Sequence, residues 1–225
     1  MSRSRTIAIG DIHGCAAALV ALLNQIEPQP KDTIVTLGDY IDRGSDSRGV
    51  VERLLLLGSQ CELVTLIGNH EAMLLSALDD PEELAFWRQC GGTETLESYG
   101  GELDAIPESH IEFFEQCSIA YETDAHLFVH ANYEADRPIE EQDEHVLLWK
   151  HLNDGVPAPH VSGKKVVLGH TPQTSGEIFD AGHLICIDTF CFGRGWLTAF
   201  DVDSKQIWQA NKFGELNGDL EDLST

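Results

Sequence analysis

The 225-residue sequence contains no apolar run near the length of about 20 residues that a membrane-spanning helix needs. It is also poor in basic residues, with 14 Lys and Arg against 38 Asp and Glu, and its formal net charge at pH 7 is −24. Because proteins bind nucleic-acid backbones through basic patches, we expect no nucleic-acid polymer among its partners. We expect no membrane partner either, and the oligomeric state has no signature in the sequence.

Cysteine motifs, targeting segments and linkers are lacking as well. The six cysteines are scattered without a Cys-x-x-Cys pair, which argues against a zinc finger or a disulfide scaffold and favours a reducing compartment. The N-terminal residues meet a strand-like segment at once, so we expect no signal peptide and a cytoplasmic location. No repeat and no Pro/Ser-rich linker interrupts the chain, which predicts a single domain over residues 1–225.

Three apolar, strand-like segments each end at a glycine that is followed at once by Asp or Asn. They are Thr6–Gly14, Thr33–Gly44 and Leu63–Glu71, with the sequences TIAIGDIHG, TIVTLGDYIDRG and LVTLIGNHE. In an open α/β sheet, ligands bind beyond the carboxyl ends of the strands. We therefore expect the polar residues of these segments to meet at one edge of the sheet.

Helical periodicity follows each of these strands and predicts helices at 15–26, 50–57 and 71–78. This alternation predicts an α/β fold with a parallel sheet and right-handed crossovers. The acidic segment from about 79 to 117 lacks strand patterns and is predicted to be a helical insertion. Further strands are predicted, the last four of them antiparallel, at 118–121, 125–129, 165–168, 176–179, 183–188, 195–201 and 205–209. The tail from Asn217 is expected to fray.

Potential metal ligands follow five of the predicted strands. They are Asp11, His13, Asp39, Asn69, His70, His130 and His170. Each residue alone would be interpreted as a turn former or a structural histidine, but their recurrence at five strand ends favours a metal centre. Mixed oxygen and imidazole ligands suit Mn²⁺, Fe or Zn²⁺ better than Ca²⁺. Two ions roughly 3.5–4 Å apart can activate water and hold a phosphoryl group, and Asp39 is the natural carboxylate to bridge them.

Three motifs resemble the signature of the phosphoprotein-phosphatase family of serine/threonine phosphatases, within the calcineurin-like metallophosphoesterases. They are GDIHG at 10–14, GDYIDRG at 38–44 and GNHE at 68–71. His130 in FVHA and His170 in GHT extend the resemblance, which covers about residues 6–188. The size and the Trp87–Gly92 stretch are similar to those of small bacterial and phage members. The resemblance implies a β-sandwich of two mixed sheets flanked by helices, with a small helical insertion at about 79–117.

The resemblance implies a centre of two divalent metal ions, with Mn²⁺ expected and Fe or Zn²⁺ as alternatives. In the family pattern, one ion is bound by the first motif, one is completed by the later residues, and a carboxylate is shared. The implied ligands are Asp11 and His13 for the first ion, Asp39 as the bridge, and Asn69, His130 and His170 for the second.

The resemblance also implies roles for three residues that do not bind metal. His70 would protonate the leaving alkoxide, Asp42 would orient His70, and Arg43 would hold the phosphate oxygens. A hydroxide activated by the two ions would attack phosphorus directly, without a covalent phosphoenzyme.

A second phosphate-binding cation is less clearly marked. Lys150 stands where related bacterial sequences often carry Arg, and it is a candidate substrate-binding residue. Arg88, Arg137 and Arg194 are alternatives. Asp188, at the end of a later strand, fits either a residue that orients a ligand histidine or a structural turn acid.

The implied function is a metal-dependent phosphomonoesterase acting on phosphoserine or phosphothreonine in proteins and on small phosphoesters. A symmetrical dinucleoside-tetraphosphate hydrolase is the alternative. Those enzymes tend to have Asp after the Asn-His pair and Ala in place of Asp42, so Glu71 and Asp42 favour the phosphatase. A metal-binding protein without catalysis would show gaps in the motifs, yet His70, Asp42 and Arg43 are all present.

Overall fold

A computed structural model describes residues 4–218, so the tail expected to fray lies almost wholly outside the described residues. The first part of the chain alternates strands and helices, as the sequence predicts. These elements are β1 (Thr6–Ile9), α1 (Ala16–Ile26), β2 (Thr33–Thr36), α2 (Ser47–Gly58), β3 (Glu62–Thr65) and α3 (Asn69–Ala77). The side chain of Asp46 accepts a hydrogen bond from the backbone N–H of Gly49 at 2.9 Å and caps α2 at its start.

The segment between β3 and the next strand is helical, which confirms the predicted insertion. It contains α4 (Pro81–Trp87), α5 (Thr93–Tyr99) and α6 (Glu108–Glu115). A tight turn at Arg88–Gly92 joins α4 to α5, with Gly91 at a φ of 118°. Since only glycine adopts this conformation readily, the Gly91-Gly92 pair explains where the helix breaks.

The remaining elements are mostly strands. They are β4 (Ala120–Glu122), β5 (His126–Val129), α7 (Glu144–Trp149), β6 (Lys165–Leu168), β7 (Phe179–Asp180), β8 (Leu184–Cys186), β9 (Asp188–Thr189), β10 (Trp196–Asp201) and β11 (Ile207–Ala210). No helix within residues 4–218 combines the length and the apolar character needed to cross a membrane.

The strands form two mixed sheets, as the α/β sandwich implied by the sequence requires. In the first sheet the order is β11-β10-β1-β2-β3, with β9 on β10; β1, β2 and β3 are parallel and β10 runs antiparallel to β1. In the second sheet the order is β4-β5-β6-β8-β7, and β5, β6 and β8 are parallel. Strand β2 lies between β1 and β3, so Asp39, in the loop after β2, lies between the loops that follow these two strands.

The sheets pack face to face through alternating residues of their strands. Ala8 and Val35 of the first sheet share one buried cluster with Phe128, Val167 and Ile185 of the second. Helices α1 and α2 cover the opposite face of the first sheet. This sandwich brings the carboxyl ends of parallel strands from both sheets to the same end of the molecule.

Several predicted elements differ from the structure, among them α2, which begins at Ser47, three residues before the predicted start. The predicted strand at 183–188 is two strands, β8 in the second sheet and β9 in the first. The antiparallel pairing predicted among these last strands is confirmed for β7 with β8, β9 with β10 and β10 with β11. The predicted strand at 176–179 is reduced to Phe179 and Asp180, because Gly176 takes a positive φ of 81° in a turn. Helix α3 begins at Asn69, two residues early, since Glu71 accepts a hydrogen bond from the Gly68 N–H at 3.0 Å and caps it.

Candidate metal centre

The predicted site residues converge at the carboxyl ends of the strands. Loops after β1 and β2 supply Asp11, His13, Asp39, Asp42 and Arg43, and the first turn of α3 supplies Asn69 and His70. The second sheet contributes His130 after β5 and His170 after β6. All of these side chains except Arg43 are buried.

The loops hold these residues in an unusual backbone conformation. Among the described residues, eight that are not glycine have a positive φ, and five of them are His13, Asp39, Asp42, Arg43 and His170. Positive φ is sterically unfavourable for residues with a Cβ and costs of order 1–3 kcal/mol. The concentration of this strain at one place indicates a functional site.

Close backbone packing fixes the loop that carries Asp39. A Cβ at Gly38 would lie 2.6 Å from the Gly68 nitrogen and 2.9 Å from Nδ1 of His130, and Gly38 has a φ of 97°. Glycine is therefore required where the ends of β2, β3 and β5 meet. The buried carboxylate of Glu71 accepts hydrogen bonds from the backbone N–H groups of Asp39 and Tyr40, each at 2.8 Å, and locks the same loop onto α3.

Two groups of three buried side chains bring ligand atoms within 4.8 Å of one another among the described residues. One contains His13, Asp39 and His70, and the other contains Asp39, His130 and His170. Asp39 belongs to both groups, with Oδ2 at 3.5 Å from Nε2 of His13 and Oδ1 at 3.4 Å from Nε2 of His130. Its carboxylate is thus the atom group placed to bridge two cations.

In the second group, one ring nitrogen of His130 and one of His170 face the side-chain oxygen of Asn69. His130 donates from Nδ1 to the Leu37 carbonyl at 2.7 Å, and His170 donates from Nε2 to the Trp149 carbonyl at 3.1 Å. The remaining ring nitrogens each lie 3.0 Å from Oδ1 of Asn69. Three lone pairs then face one another without a donor between them, which is an arrangement that a cation satisfies.

His13 offers Nε2 in the same way, because its Nδ1 donates to the Ile41 carbonyl at 2.9 Å. Arg43 donates from Nη1 to this Nε2 at 2.8 Å, and its guanidinium lies 4.7 Å from the ring centre of Phe192. The Phe192 ring keeps the guanidinium beside the site. Because Nε2 of His13 has a single lone pair, it can bind either Arg43 or a cation, but not both at once.

The titration behaviour of the imidazoles suits metal binding. Burial lowers the pKa of His13 well below its usual value, lowers that of His130, and lowers that of His170 to about 3. Burial alone would raise the pKa of Asp39, but attraction to the protonated forms of the imidazoles around it, first that of His130, outweighs burial and lowers the pKa well below its usual range. Neutral imidazoles around a carboxylate are the protonation states that a cation requires.

Two further buried carboxylates lie close to Asp39. Asp11 accepts from the His170 N–H with both oxygens, at 3.1 and 2.9 Å, and burial, Asp188 and Asp39 together raise its pKa. Asp188 accepts from the Phe190 N–H at 3.1 Å, and its buried Oδ2 has no partner among the described residues. Burial raises the pKa of Asp188 to about 7. Asp188 makes no hydrogen bond to a histidine within residues 4–218.

These observations fit two divalent cations. The site combines clustered buried carboxylates, lone pairs that converge without donors and imidazoles whose other nitrogen is already fixed. Such an oxygen and nitrogen donor set suits Mn²⁺, Fe or Zn²⁺. Asp11 belongs to neither compact group, and His70 belongs to the first, so geometry alone allows a wider choice of ligands than the sequence pattern does.

His70 differs from the other histidines of the site. Its Nδ1 lies 2.6 Å from Oδ2 of Asp42, and its Nε2 lies 3.9 Å from Oδ2 of Asp39. Burial opposes protonation of His70, but the carboxylates of Asp39 and Asp42 outweigh it and raise the pKa of His70. This imidazole can therefore carry a proton at the edge of the cluster.

A cavity of about 170 Å³ opens over the cluster. Its lining residues are Asp39, Arg43, Asn69, His70, Trp149, His151, His170 and Pro172. Lys150 is exposed at the end of α7 and does not line this cavity, nor do the exposed Arg88, Arg137 and Arg194. His151, the residue after Lys150, does line the cavity, and the His151 ring stacks on that of His170 with a centroid distance of 4.3 Å.

Sequence reasoning missed four residues around the site. His151 carried a signal only as a neighbour of Lys150, and Phe192 lay in a segment without a motif. Trp87 belongs to the stretch that is similar to small bacterial and phage members, but the resemblance implies no role for its side chain. Thr95 carried no signal, yet both it and Trp87 donate hydrogen bonds to Asp42.

Comparisons with known proteins agree with this site. The sequence profile of the calcineurin-like phosphoesterases matches residues 4–203. The chain is 30% identical to serine/threonine-protein phosphatase 1 of Salmonella typhimurium (strain LT2) over 84% of this chain and 88% of that protein. It is 43% identical to a symmetrical bis(5'-nucleosyl)-tetraphosphatase of Escherichia coli O139:H28 (strain E24377A), over 32% of this chain and 25% of that protein. A crystal structure provisionally named a diadenosine tetraphosphatase matches with a TM-score of 0.68 and 26% identity, covering 92% and 93% of the two chains.

Proposed function

Because the chain belongs to the calcineurin-like phosphoesterase family, whose members use a dinuclear divalent metal centre, we propose that it is a protein serine/threonine phosphatase. The observation that carries this proposal is the buried pair of His70 and Asp42, with Nδ1 and Oδ2 at 2.6 Å. The alkoxide of serine or threonine is a strong base and needs a proton as it leaves. A nucleoside diphosphate is a weak base and leaves without being protonated. A positioned general acid therefore favours phosphate monoesters of alcohols as substrates.

We propose the metal ligands of the sequence pattern. They are Asp11 and His13 for one ion, Asp39 between both, and Asn69, His130 and His170 for the other. When bound, two divalent ions supply Lewis acidity towards the phosphoryl oxygens and lower the pKa of water. Mn²⁺ is the proposed metal. A single domain over residues 1–225 and a cytoplasmic location are also part of the proposal.

The chain's own residues supply binding and proton transfer. Arg43 leaves Nε2 of His13 and binds phosphate oxygens through its planar fork, with Phe192 against the guanidinium. A water oxygen forms the new bond to phosphorus while the bond to the ester oxygen breaks; one proton of this water stays on the phosphate product and the other passes to solvent, from which His70 regains its proton. His70 gives the proton on Nε2 to that oxygen, and Asp42 keeps the ring oriented through Nδ1.

The alternative is a symmetrical dinucleoside-tetraphosphate hydrolase, which the E. coli relative and the structure with a TM-score of 0.68 favour. The test compares kcat/KM for a phosphoserine peptide and for diadenosine tetraphosphate, with Mn²⁺ and p-nitrophenyl phosphate as a common reference. We expect kcat/KM to be at least about tenfold higher for the phosphopeptide, a difference of about 1.4 kcal/mol. A clear preference for the dinucleotide would overturn the proposal.

Lys150 and His151 compete as the second phosphate contact. Lys150→Ala tests the residue that the sequence favours, and His151→Ala tests the residue that lines the cavity. Loss of one charge-assisted hydrogen bond to phosphate costs about 1.5–3 kcal/mol, and because Lys150 and His151 are both exposed, solvent screening reduces this cost. We expect His151→Ala to raise KM for the phosphopeptide about fivefold and Lys150→Ala to change it less than about twofold. A larger effect of Lys150→Ala would restore the sequence assignment.

A further inference from the structure

We propose that Trp87 and Thr95 of the helical insertion are positioning residues, which fix the Asp42 carboxylate and through it the proton-donating His70. The inference rests on the proposed function for the reaction it serves. It gives the insertion a catalytic purpose, in addition to any contact with substrate. Trp87 and Thr95 lie 45 and 53 residues after Asp42 in the sequence, and their side chains meet that of Asp42 in the buried core beside the cavity.

The Asp42 carboxylate is held on both oxygens. Oδ2 accepts from Nδ1 of His70 at 2.6 Å and from Nε1 of Trp87 at 2.8 Å, and Oδ1 accepts from Oγ1 of Thr95 at 2.6 Å. Asp42, Trp87 and Thr95 are each 0% exposed. Because no water reaches this carboxylate, these donors set its orientation.

Thr95 also holds the backbone of the same residue. Its Oγ1 accepts from the Asp42 N–H at 2.9 Å while it donates to the Asp42 side chain. A hydroxyl has one proton and two lone pairs, so both contacts are satisfied together. Asp42 has a positive φ of 74°, and this bridge from backbone to carboxylate stabilises that strained conformation.

The turn between α4 and α5 is shaped to fit against Asp42 and Arg43. The Gly91 carbonyl accepts from the Arg43 N–H at 3.2 Å, and a Cβ on Gly91 would lie 2.8 Å from the Arg43 nitrogen and 3.1 Å from Cβ of Asp42. A Cβ on Gly92 would lie 2.4 Å from the indole of Trp87. The two glycines therefore let the turn approach closely enough to place Trp87 and Thr95 on the two sides of Asp42.

The physical consequence depends on the leaving group. If one donor is removed, the carboxylate gains rotational freedom and His70 no longer points Nε2 at a fixed place. Proton donation matters most when the leaving oxygen is strongly basic, and it contributes typically 10²–10⁴-fold to the rate. Loss of positioning should therefore slow poor leaving groups and spare good ones, whereas general damage to the fold should slow both alike.

The test uses Trp87→Phe, which keeps the ring but lacks the N–H, and Thr95→Val, which keeps the shape but lacks the hydroxyl. Matched controls are Trp208→Phe and Thr198→Val, both buried in the first sheet away from the dyad. For each variant, kcat is measured with Mn²⁺ on phenyl phosphate and on p-nitrophenyl phosphate. We expect Trp87→Phe and Thr95→Val to lower kcat about tenfold for phenyl phosphate and less than about twofold for p-nitrophenyl phosphate. The controls should show no such selectivity.

Two further measurements separate positioning from a structural role. In an Asp42→Asn background, Trp87→Phe should add no further selective loss, because the acceptor it positions has been changed. In protein labelled with ¹⁵N-histidine, the Nδ1–H resonance of His70 should shift in Trp87→Phe and Thr95→Val but not in the controls. The resonance is observed without turnover, and two independent variants guard against one of them failing to fold.

Equal losses on both aryl phosphates, or an unshifted His70 resonance, would overturn the positioning role. These outcomes are distinct from failure of the proposed function, which would appear in the wild-type protein as a preference for diadenosine tetraphosphate over phosphopeptide. A wild-type protein that hydrolyses neither aryl phosphate would overturn the proposed function and the positioning role together.

Discussion

Replacing Asp39 with Asn is expected to abolish metal binding and hydrolysis together. Asp39 is the only side chain shared by the two groups of ligands within residues 4–218, and its two oxygens face different imidazoles, those of His13 and His130. An amide has one oxygen and no charge, so it cannot bridge two cations and neutralise them. Metals supply several kcal/mol of transition-state stabilisation, so we expect kcat/KM to fall on the order of 10³-fold or more.

The measurement for Asp39→Asn is the number of Mn²⁺ ions bound per chain, by calorimetric titration and elemental analysis, beside kcat/KM on p-nitrophenyl phosphate. Asp201→Asn is the matched control, because Asp201 is also a buried aspartate but its carboxylate accepts from the N–H of Asp203 at 3.0 Å, away from the site. The control should keep both ions and its activity. Retention of two ions by Asp39→Asn would refute the shared carboxylate.

His70→Asn should keep both ions and lose most of the turnover of substrates with poor leaving groups. His70 is held by Asp42 through Nδ1, and the carboxylates around it raise its pKa, whereas burial lowers the pKa of His13, His130 and His170. We expect kcat to fall about 10²–10⁴-fold on a phosphoserine peptide and much less on p-nitrophenyl phosphate.

The competing possibility for His70 follows from its geometry, since its Nε2 also lies among the ligand atoms of His13 and Asp39. The number of ions bound by His70→Asn decides between the two. His13→Asn is the positive control, because loss of that imidazole should weaken one metal site. If His70→Asn loses an ion to the same degree as His13→Asn, then His70 is a ligand and the proton must come from another group.

The sequence predicted the centre of the molecule because the relevant signals are local. Each of the first three strands ends at a glycine followed by a polar ligand, and strand ends of a parallel sheet must meet. The capped start of α2 and the break at Gly91 are also local signals. The fold class, the two mixed sheets and the helical insertion are confirmed.

The features that the sequence did not predict depend on contacts between distant segments. The strand predicted at 183–188 continues as one apolar pattern, and only the packing of two sheets divides it into β8 and β9. Thr95 is an ordinary helical residue until Asp42 packs against it. Lys150 and His151 are adjacent in the sequence, and only the direction of the chain after α7 decides which of the two side chains lines the cavity.

Glu71 has a structural role that the sequence pattern does not indicate. The family pattern uses it as a marker of substrate, but its carboxylate is buried and accepts hydrogen bonds from the loop that carries Asp39. It does not line the cavity over the cluster. Asp42, and the His70 proton that Asp42 positions, therefore remain the features that favour a phosphate monoester of an alcohol as substrate.

A crystal structure of the protein with Mn²⁺ and phosphate tests the metal centre and the role of His70 together. We expect two ions bridged by the Asp39 carboxylate, Arg43 moved from His13 to the phosphate oxygens, and His70 bonded to Asp42 with Nε2 facing the phosphate rather than an ion. A single ion, or two ions without Asp39 between them, or His70 bound to metal through Nε2, would contradict this expectation.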